Sequence, residues 1–88
     1  MLVQAPPKEV ISGIYSGDQS IAAGQFVDIN IPIHKNVLIC NTMGSYRPSQ
    51  LDCNIKSKGT TNYVVRVENN YSDAIPAAGW SVYWIQTD

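Results

Sequence analysis

Branched aliphatic residues recur at every second position in residues 25–33, and this alternation constrains the fold more than any other feature of the sequence. These residues are Val27, Ile29, Ile31 and Ile33. A period of two places them on one face of a β-strand and leaves the other face to solvent, as in an antiparallel sheet. Pro32 lies on the outward row and lacks a backbone donor, so we expect this end of the strand at a sheet edge.

Other short segments rich in apolar and β-branched residues are also typical of strands, and they are residues 10–15, 37–40, 51–55, 60–68 and 80–85. The segment 37–40 is apolar throughout, which predicts a strand covered on both faces. No longer window carries the apolar stripe of an α-helix. These patterns predict an all-β fold, a single small antiparallel β-sandwich of about six strands over residues 10–88.

Residues 1–9 are predicted to form an extended N-terminal arm. Pro6 and Pro7 each remove a backbone donor and disfavour helix in the residue before them. The arm is short and the sandwich follows directly, so we expect the chain to be complete, with no attachment region or shaft before the domain.

The charge of the chain excludes some classes of partner. Six basic and seven acidic residues give a formal net charge of −1. No strong electrostatic field is available to hold a nucleic acid or an anionic membrane, so neither is a predicted partner. No apolar run has the length of a signal peptide or of a membrane span, and we expect synthesis in the cytoplasm.

Few residues could carry chemistry. His34 is the single histidine, and no nucleophile motif is present, so we predict no catalytic residue and no enzymatic activity. Two metal sites are the alternatives: three copies of His34 on a symmetry axis, or calcium on Asn69, Asn70 and Asp73. Turn residues account for both groups more simply, and we predict no metal and no cofactor.

The two cysteines, Cys40 and Cys53, are too few for a disulfide scaffold. They flank the loop around Tyr46 and Arg47 at equal distances, so they could face each other across a hairpin. We predict that both thiols stay reduced, as is usual in a reducing compartment.

The closing segment has large apolar side chains on both faces. Trp80, Val82 and Trp84 alternate with Tyr83 and Ile85. A strand of a two-layer sandwich buries one face only, so these five residues predict a subunit interface, in a homotrimer by preference and in a dimer as the alternative. The other interpretation is a central strand of one compact core with Tyr83 partly exposed.

Three loop residues are candidates for contact with a ligand or receptor. Tyr46 and Arg47 combine an aromatic ring with a planar cation, a mixture used in sugar and protein recognition, and Tyr71 lies in another long loop. The alternative is that these tyrosines only cap the ends of the sandwich.

The order of the strands resembles a family of viral proteins. The resemblance runs through a turn with Ala-Ala-Gly and an alternating strand, then a short apolar strand, a β-branched strand and an aromatic last strand, in residues 13–31, 37–39, 61–67 and 81–84. This order is similar to that of the small trimeric β-sandwiches on bacteriophage virion surfaces, including tail-fibre tips and domains like the H-type lectins.

The resemblance implies a phage virion structural protein. Its implied role is that of a capsid decoration or cement protein on the virion surface, a homotrimer that binds coat protein. The arm would add a strand to a coat-protein edge, with Leu2 and Val3 as anchors and with Pro6 and Pro7 limiting its freedom. The alternative is the tip domain of a tail fibre or spike that binds a receptor or a host surface glycan.

Overall fold

Six antiparallel strands make up nearly the whole domain. The structure is a computed structural model that describes residues 9–43 and 51–88. The strands are β1 (Val10–Ser16), β2 (Phe26–Pro32), β3 (Val37–Met43), β4 (Leu51–Lys58), β5 (Asn62–Asn69) and β6 (Ser81–Thr87). Helix in the described segments is limited to one 3-10 turn, Ala77–Gly79. The predicted all-β fold with about six strands is therefore confirmed.

The strands form two three-stranded sheets. The first sheet has the order β1-β6-β3, and the second has the order β2-β5-β4. All neighbouring strands are antiparallel, and β6 and β5 are the central strands. The first sheet therefore places the first strand of the domain beside the last one.

The core lies between the sheets and follows the alternation along each strand. In β5 every second residue is buried, from Tyr63 through Val65 and Val67 to Asn69. Ile29 and Ile31 of β2 face the same core, as the sequence predicts. Fully burying one such aliphatic side chain stabilises the folded chain by about 1.5 to 3 kcal/mol.

One buried amide fastens the turn between β2 and β3. The Oε1 atom of Gln86 accepts hydrogen bonds from the backbone N–H groups of His34 and Lys35, at 2.7 and 2.9 Å. Its Nε2 atom donates to the carbonyl oxygen of Pro32 at 2.7 Å. All three backbone groups belong to the turn, so this side chain holds the turn against the centre of the first sheet.

A second buried amide fastens the loops at another place. The Nδ2 atom of Asn69 donates to the carbonyl oxygens of Ile21 and Asp73, both at 2.9 Å, and its Oδ1 atom accepts from the N–H of Tyr71. No buried side-chain N or O atom in the described segments lacks a hydrogen-bond partner. Hydrogen bonds between paired polar groups thus hold the loops against the sheets. These bonds are costly to break because their surroundings have low polarity.

The prediction that the strand in residues 37–40 is covered on both faces is wrong for the single chain. Leu38 is buried against the core, but Ile39 points away from it and is 59% exposed. The reason is that β3 is an edge strand of a sheet whose outer face meets solvent. The strand also continues to Met43, because its later residues pair with β6. The edge position inferred from Pro32 is confirmed, since β2 pairs with β5 alone.

The predicted arm lies largely outside the described residues. Its anchors Leu2 and Val3 and its prolines Pro6 and Pro7 all fall in that part of the chain. The first strand begins at Val10, where the sequence places the start of the sandwich.

We predict that Gln86→Met destabilises the fold by about 2 kcal/mol or more. Methionine has a similar size but leaves two N–H groups and one carbonyl of the turn without their partner. Gln25→Met, at an exposed position, is the matched control. Urea unfolding of both variants at one protein concentration measures the difference, and equal stabilities would contradict the role assigned to this amide.

Candidate interaction surface

Large apolar side chains cover the outer face of the first sheet. We call this surface the apolar face and define it by six residues: Val10, Ile14, Val37, Ile39, Tyr83 and Ile85. Their exposed fractions lie between 42% and 59%. Single exposed apolar residues are ordinary on protein surfaces, whereas a contiguous group of them marks an interaction site.

Strand pairing makes the apolar face contiguous. Tyr83 of the central strand lies beside Ile14 of β1, and Ile85 lies beside Ile39 of β3. Directly opposed side chains in antiparallel strands have Cβ atoms about 4.5 to 5.5 Å apart. Val10 and Val37 lie on either side of Thr87, so the six side chains occupy neighbouring outward positions of the three strands.

The apolar face is also uncharged. The remaining outward positions with described side chains in β1, β3 and β6 are small or neutral, and they are Ser12, Ser16, Asn41, Ser81 and Thr87. No lysine, arginine, aspartate or glutamate stands at a described outward position of this sheet. A partner that covers the face thus leaves no charge buried there without a counterion.

The outer face of the second sheet has the opposite character. The guanidinium of Arg66 lies 3.7 Å from the ring centroid of Phe26 and so covers an exposed aromatic ring. The same group donates to the carboxylate of Asp28 at 2.9 Å, and this hydrogen bond lowers the pKa of Asp28. Other outward residues of this sheet include the polar Asn30, Asp52, Asn54 and Glu68 and the apolar Pro32 and Val64. This face is built for contact with water.

A shallow depression of about 230 Å³ lies within the apolar face. Its rim is formed by Ile39, Tyr83 and Ile85, together with Ser12 and Asn41. A site of this shape and lining accepts an apolar side chain better than a polar one, because its lining offers few hydrogen-bond partners.

The structure divides the predicted interface residues into two groups. Tyr83 and Ile85 lie on the apolar face, whereas Trp80 and Val82 are buried in the core of the chain itself, at 3% and 0% exposure. Trp84 is half-buried and faces the same way as Val82. The second sheet covers this inward side, so the interface hypothesis is corrected to the outward residues alone.

Gly13 makes room for the indole of Trp84. The two residues are paired across β1 and β6, and a Cβ atom on Gly13 would lie 2.3 Å from the ring. The other side of the indole stacks on His34, with ring centroids 6.1 Å apart. The single histidine thus serves as a packing partner for the closing strand.

Four residues of the apolar face were missing from the sequence prediction, namely Val10, Ile14, Val37 and Ile39. Residues 37–40 were predicted to be covered on both faces, but the sequence does not show which surface they join. Only the pairing of β1 and β3 with β6 places the four residues around Tyr83 and Ile85. Residues 10–16 have no strict alternation of apolar and polar residues, so the sequence does not show which face of that strand meets solvent.

The candidate recognition residues are not brought together in the described part of the chain. Tyr46 and Arg47 fall outside the described residues. Tyr71 is half-buried and packs against the core, as expected for a tyrosine that caps a sandwich. Asn69 and Asn70 belong to the alternative calcium site of the sequence analysis. The Asn69 amide is hydrogen-bonded to backbone groups, and the Asn70 amide donates to the Asp52 carboxylate at 2.6 Å.

The two cysteines meet at the junction of the sheets. Cys40 belongs to β3 and Cys53 to β4, and their Sγ atoms lie 3.7 Å apart without a bond. The hydrogen bond between the thiols lowers the pKa of Cys53 to about 7 and raises that of Cys40. A backbone hydrogen bond of Thr42 adds to the lowering.

Comparison with known proteins gives no match. No protein-family model, no curated protein and no solved structure matches the chain. Within residues 9–43 and 51–88, no helix has the length and apolar character needed to cross a membrane.

Proposed function

We propose that this protein is a non-enzymatic structural protein of a bacteriophage particle. It sits on the virion surface as a homotrimer and binds coat subunits as a capsid decoration protein. The observation that carries the proposal is the apolar face, because an uncharged apolar sheet surface functions by contact with another protein surface. The resemblance in strand order supplies the viral setting.

The size of the apolar face agrees with the centre of a protein interface. Three strands of seven residues span roughly 14 by 24 Å, or about 340 Å², at ordinary strand spacing and rise. Stable interfaces bury about 800 Å² on each partner. The apolar face therefore supplies the core of an interface, and the loops and the arm around it would supply the rim.

A second copy of the same chain is the occupant that the chemistry favours. Two apolar faces brought together bury no unpaired charge and need no complementary charge pattern. In a closed trimer the same face of every copy turns towards the symmetry axis, so no apolar surface is left to extend the assembly. A dimer built on this face is the second arrangement consistent with the same surface.

The base of the arm is held at the edge of the apolar face. Val10, the first residue of β1, pairs with Thr87, and the arm leaves the domain there. Lys35 donates to the carboxylates of Glu9 and Asp88, both at 3.3 Å. These ion pairs bring the start of the sandwich and the last residue of the chain to one point, from which Leu2 and Val3 would reach a coat subunit.

The described outward side chains of the proposed contact surface are apolar or neutral. Binding through apolar area is the chemistry that these side chains provide.

We predict that the double variant Ile14→Asp with Ile39→Asp remains folded but no longer self-associates. Both side chains point to solvent in the single chain, so folding tolerates the change, whereas a closed interface would bury two unpaired carboxylates per copy. Sedimentation velocity should give the mass of one chain, and far-UV circular dichroism should stay unchanged.

The matched control carries the same added charge on the other sheet. Asn30→Asp with Asn54→Asp changes two exposed positions of the second sheet and should leave the assembly intact. If the control dissociates as fully as the test variant, the effect is one of net charge, and the apolar face is not the interface.

Removing residues 2–8 is predicted to abolish binding to capsids while leaving the assembly intact. The deletion keeps Glu9 and its contact with Lys35, so the base of the arm is undisturbed. Co-sedimentation with purified capsids of the phage that encodes the chain measures binding, and light scattering measures the assembly.

Two outcomes of the deletion are informative. Retained capsid binding would remove the role of the arm. A full-length chain that fails to bind capsids, yet self-associates, would contradict the decoration role and leave the interface standing.

A further inference from the structure

Cys40 and Cys53 lie on the edge strands of two different sheets. Among residues 9–43 and 51–88, β3 pairs with β6 alone and β4 pairs with β5 alone. Both cysteines occupy inward positions, opposite Trp84 and Val67 respectively. Their Sγ atoms meet at 3.7 Å where the two sheets come together. No other cysteine exists in the chain, so this contact uses every thiol that the protein has.

We propose that this pair is a thiol–disulfide modification site, at which an oxidised small-molecule disulfide converts the two thiols into a bridge between the sheets. The inference does not depend on the proposed virion role.

The distance between the sulfur atoms allows the bond to form with little rearrangement. A disulfide has a sulfur–sulfur length of about 2.05 Å, so the two atoms approach each other by about 1.7 Å. Each strand has a neighbour on one side only, which leaves the other side free to move. A bulge between Ile55 and Ser57 also interrupts the regular ladder of β4 just beyond Cys53.

The two cysteines have different roles in the exchange. The Sγ atom of Cys53, as the thiolate, attacks one sulfur of the disulfide RSSR and displaces RS⁻, which leaves a mixed disulfide on Cys53. The thiolate of Cys40 then attacks the Sγ atom of Cys53 and displaces the second RS⁻. The protons of the two cysteines end on the two released thiols. The protein pair is oxidised by two electrons and RSSR is reduced to two RSH.

The surroundings favour Cys53 as the first nucleophile. Its pKa is lowered to about 7, because the hydrogen bond with Cys40 and a backbone hydrogen bond of Thr42 both favour the thiolate. An attacking thiol is most effective when its pKa lies near the ambient pH. Cys40 has a raised pKa and therefore acts second.

The bridge would hold the two sheets together at one edge of the sandwich. Among the described residues, the hydroxyl of Thr42 already donates a hydrogen bond across this edge, to the carbonyl oxygen of Leu51 at 3.2 Å. A disulfide adds a covalent connection next to it and closes the loop that joins β3 to β4. Chains made in a reducing compartment keep both thiols, and they gain the bridge on release into an oxidising one.

The test uses the purified full-length chain in glutathione disulfide. After the reaction is stopped with acid, iodoacetamide in denaturant labels any free thiol, and mass spectrometry counts the labels. We expect a chain two hydrogens lighter with no label, and one peptide pair joined through Cys40 and Cys53. We also expect a Tm at least about 5 °C above that of the reduced chain. Dithiothreitol should reverse both changes.

Single substitutions test the order of attack. Cys40→Ser keeps a hydrogen-bond donor beside Cys53 and should accumulate a stable glutathione adduct on Cys53. Cys53→Ser should react more slowly than Cys40→Ser at pH 7, because burial still raises the pKa of Cys40 whereas the backbone hydrogen bond of Thr42 still lowers the pKa of Cys53. Equal rates in the two variants would overturn the assignment of Cys53 as nucleophile.

Other results would overturn the site itself. Two labels per chain after prolonged oxidation would show that the pair does not close. A stable glutathione adduct on the wild-type chain, or a disulfide between two chains, would show that the second step fails. A bridge that forms without a rise in Tm would overturn its role as a connection between the sheets.

Discussion

The domain has only two layers, each a sheet of three strands, and this decides which side chains meet solvent. A two-layer sandwich has four sheet faces, and only the two that face each other are covered. The chain supplies no third layer in its described parts. The two outer faces must therefore suit water or be covered by another molecule, and here they differ completely in character.

The second sheet meets solvent with ion pairs and amides. Arg66 lies over the Phe26 ring and binds Asp28, so even the aromatic residue of that face is shielded by a cation. The first sheet presents Tyr83 and Ile85 on its central strand with apolar neighbours on both sides. The outer face of the second sheet is polar, so exposed apolar side chains are not a general feature of this chain. They are specific to the outer face of the first sheet. A chain of this length buries only about 60 to 65% of its unfolded surface, and association would add to that.

Inward side chains of the same sheet hold the strands of the apolar face in place. Gln86 is the neighbour of Ile85 in sequence but points inward, where it binds the turn between β2 and β3. Alternation along β6 thus places an amide that holds a turn on one side of the strand and exposed apolar side chains on the other. The cysteine pair also lies on the inward side, where the first sheet meets the second.

The sequence allowed the strands to be predicted and left their partners open. Alternation in residues 25–33 identified β2 and its buried face, because a period of two is a local property. Pairing is not local: β1 and β6 are neighbours although nearly the whole domain separates them. For this reason Ile14 and Ile39 were not recognised as part of one surface, and Trp80 was assigned to an interface although the core of the chain buries it. The spacing of Cys40 and Cys53 indicated that they could face each other. Their position between two different sheets follows only from the topology.

The claim on which this account depends is that like chains cover the outer side of the first sheet. Multi-angle light scattering of the unmodified protein, over a range of concentrations in reducing buffer, tests it most directly. The account predicts a mass of three chains, or of two in the alternative arrangement. A mass of one chain throughout the range would contradict it.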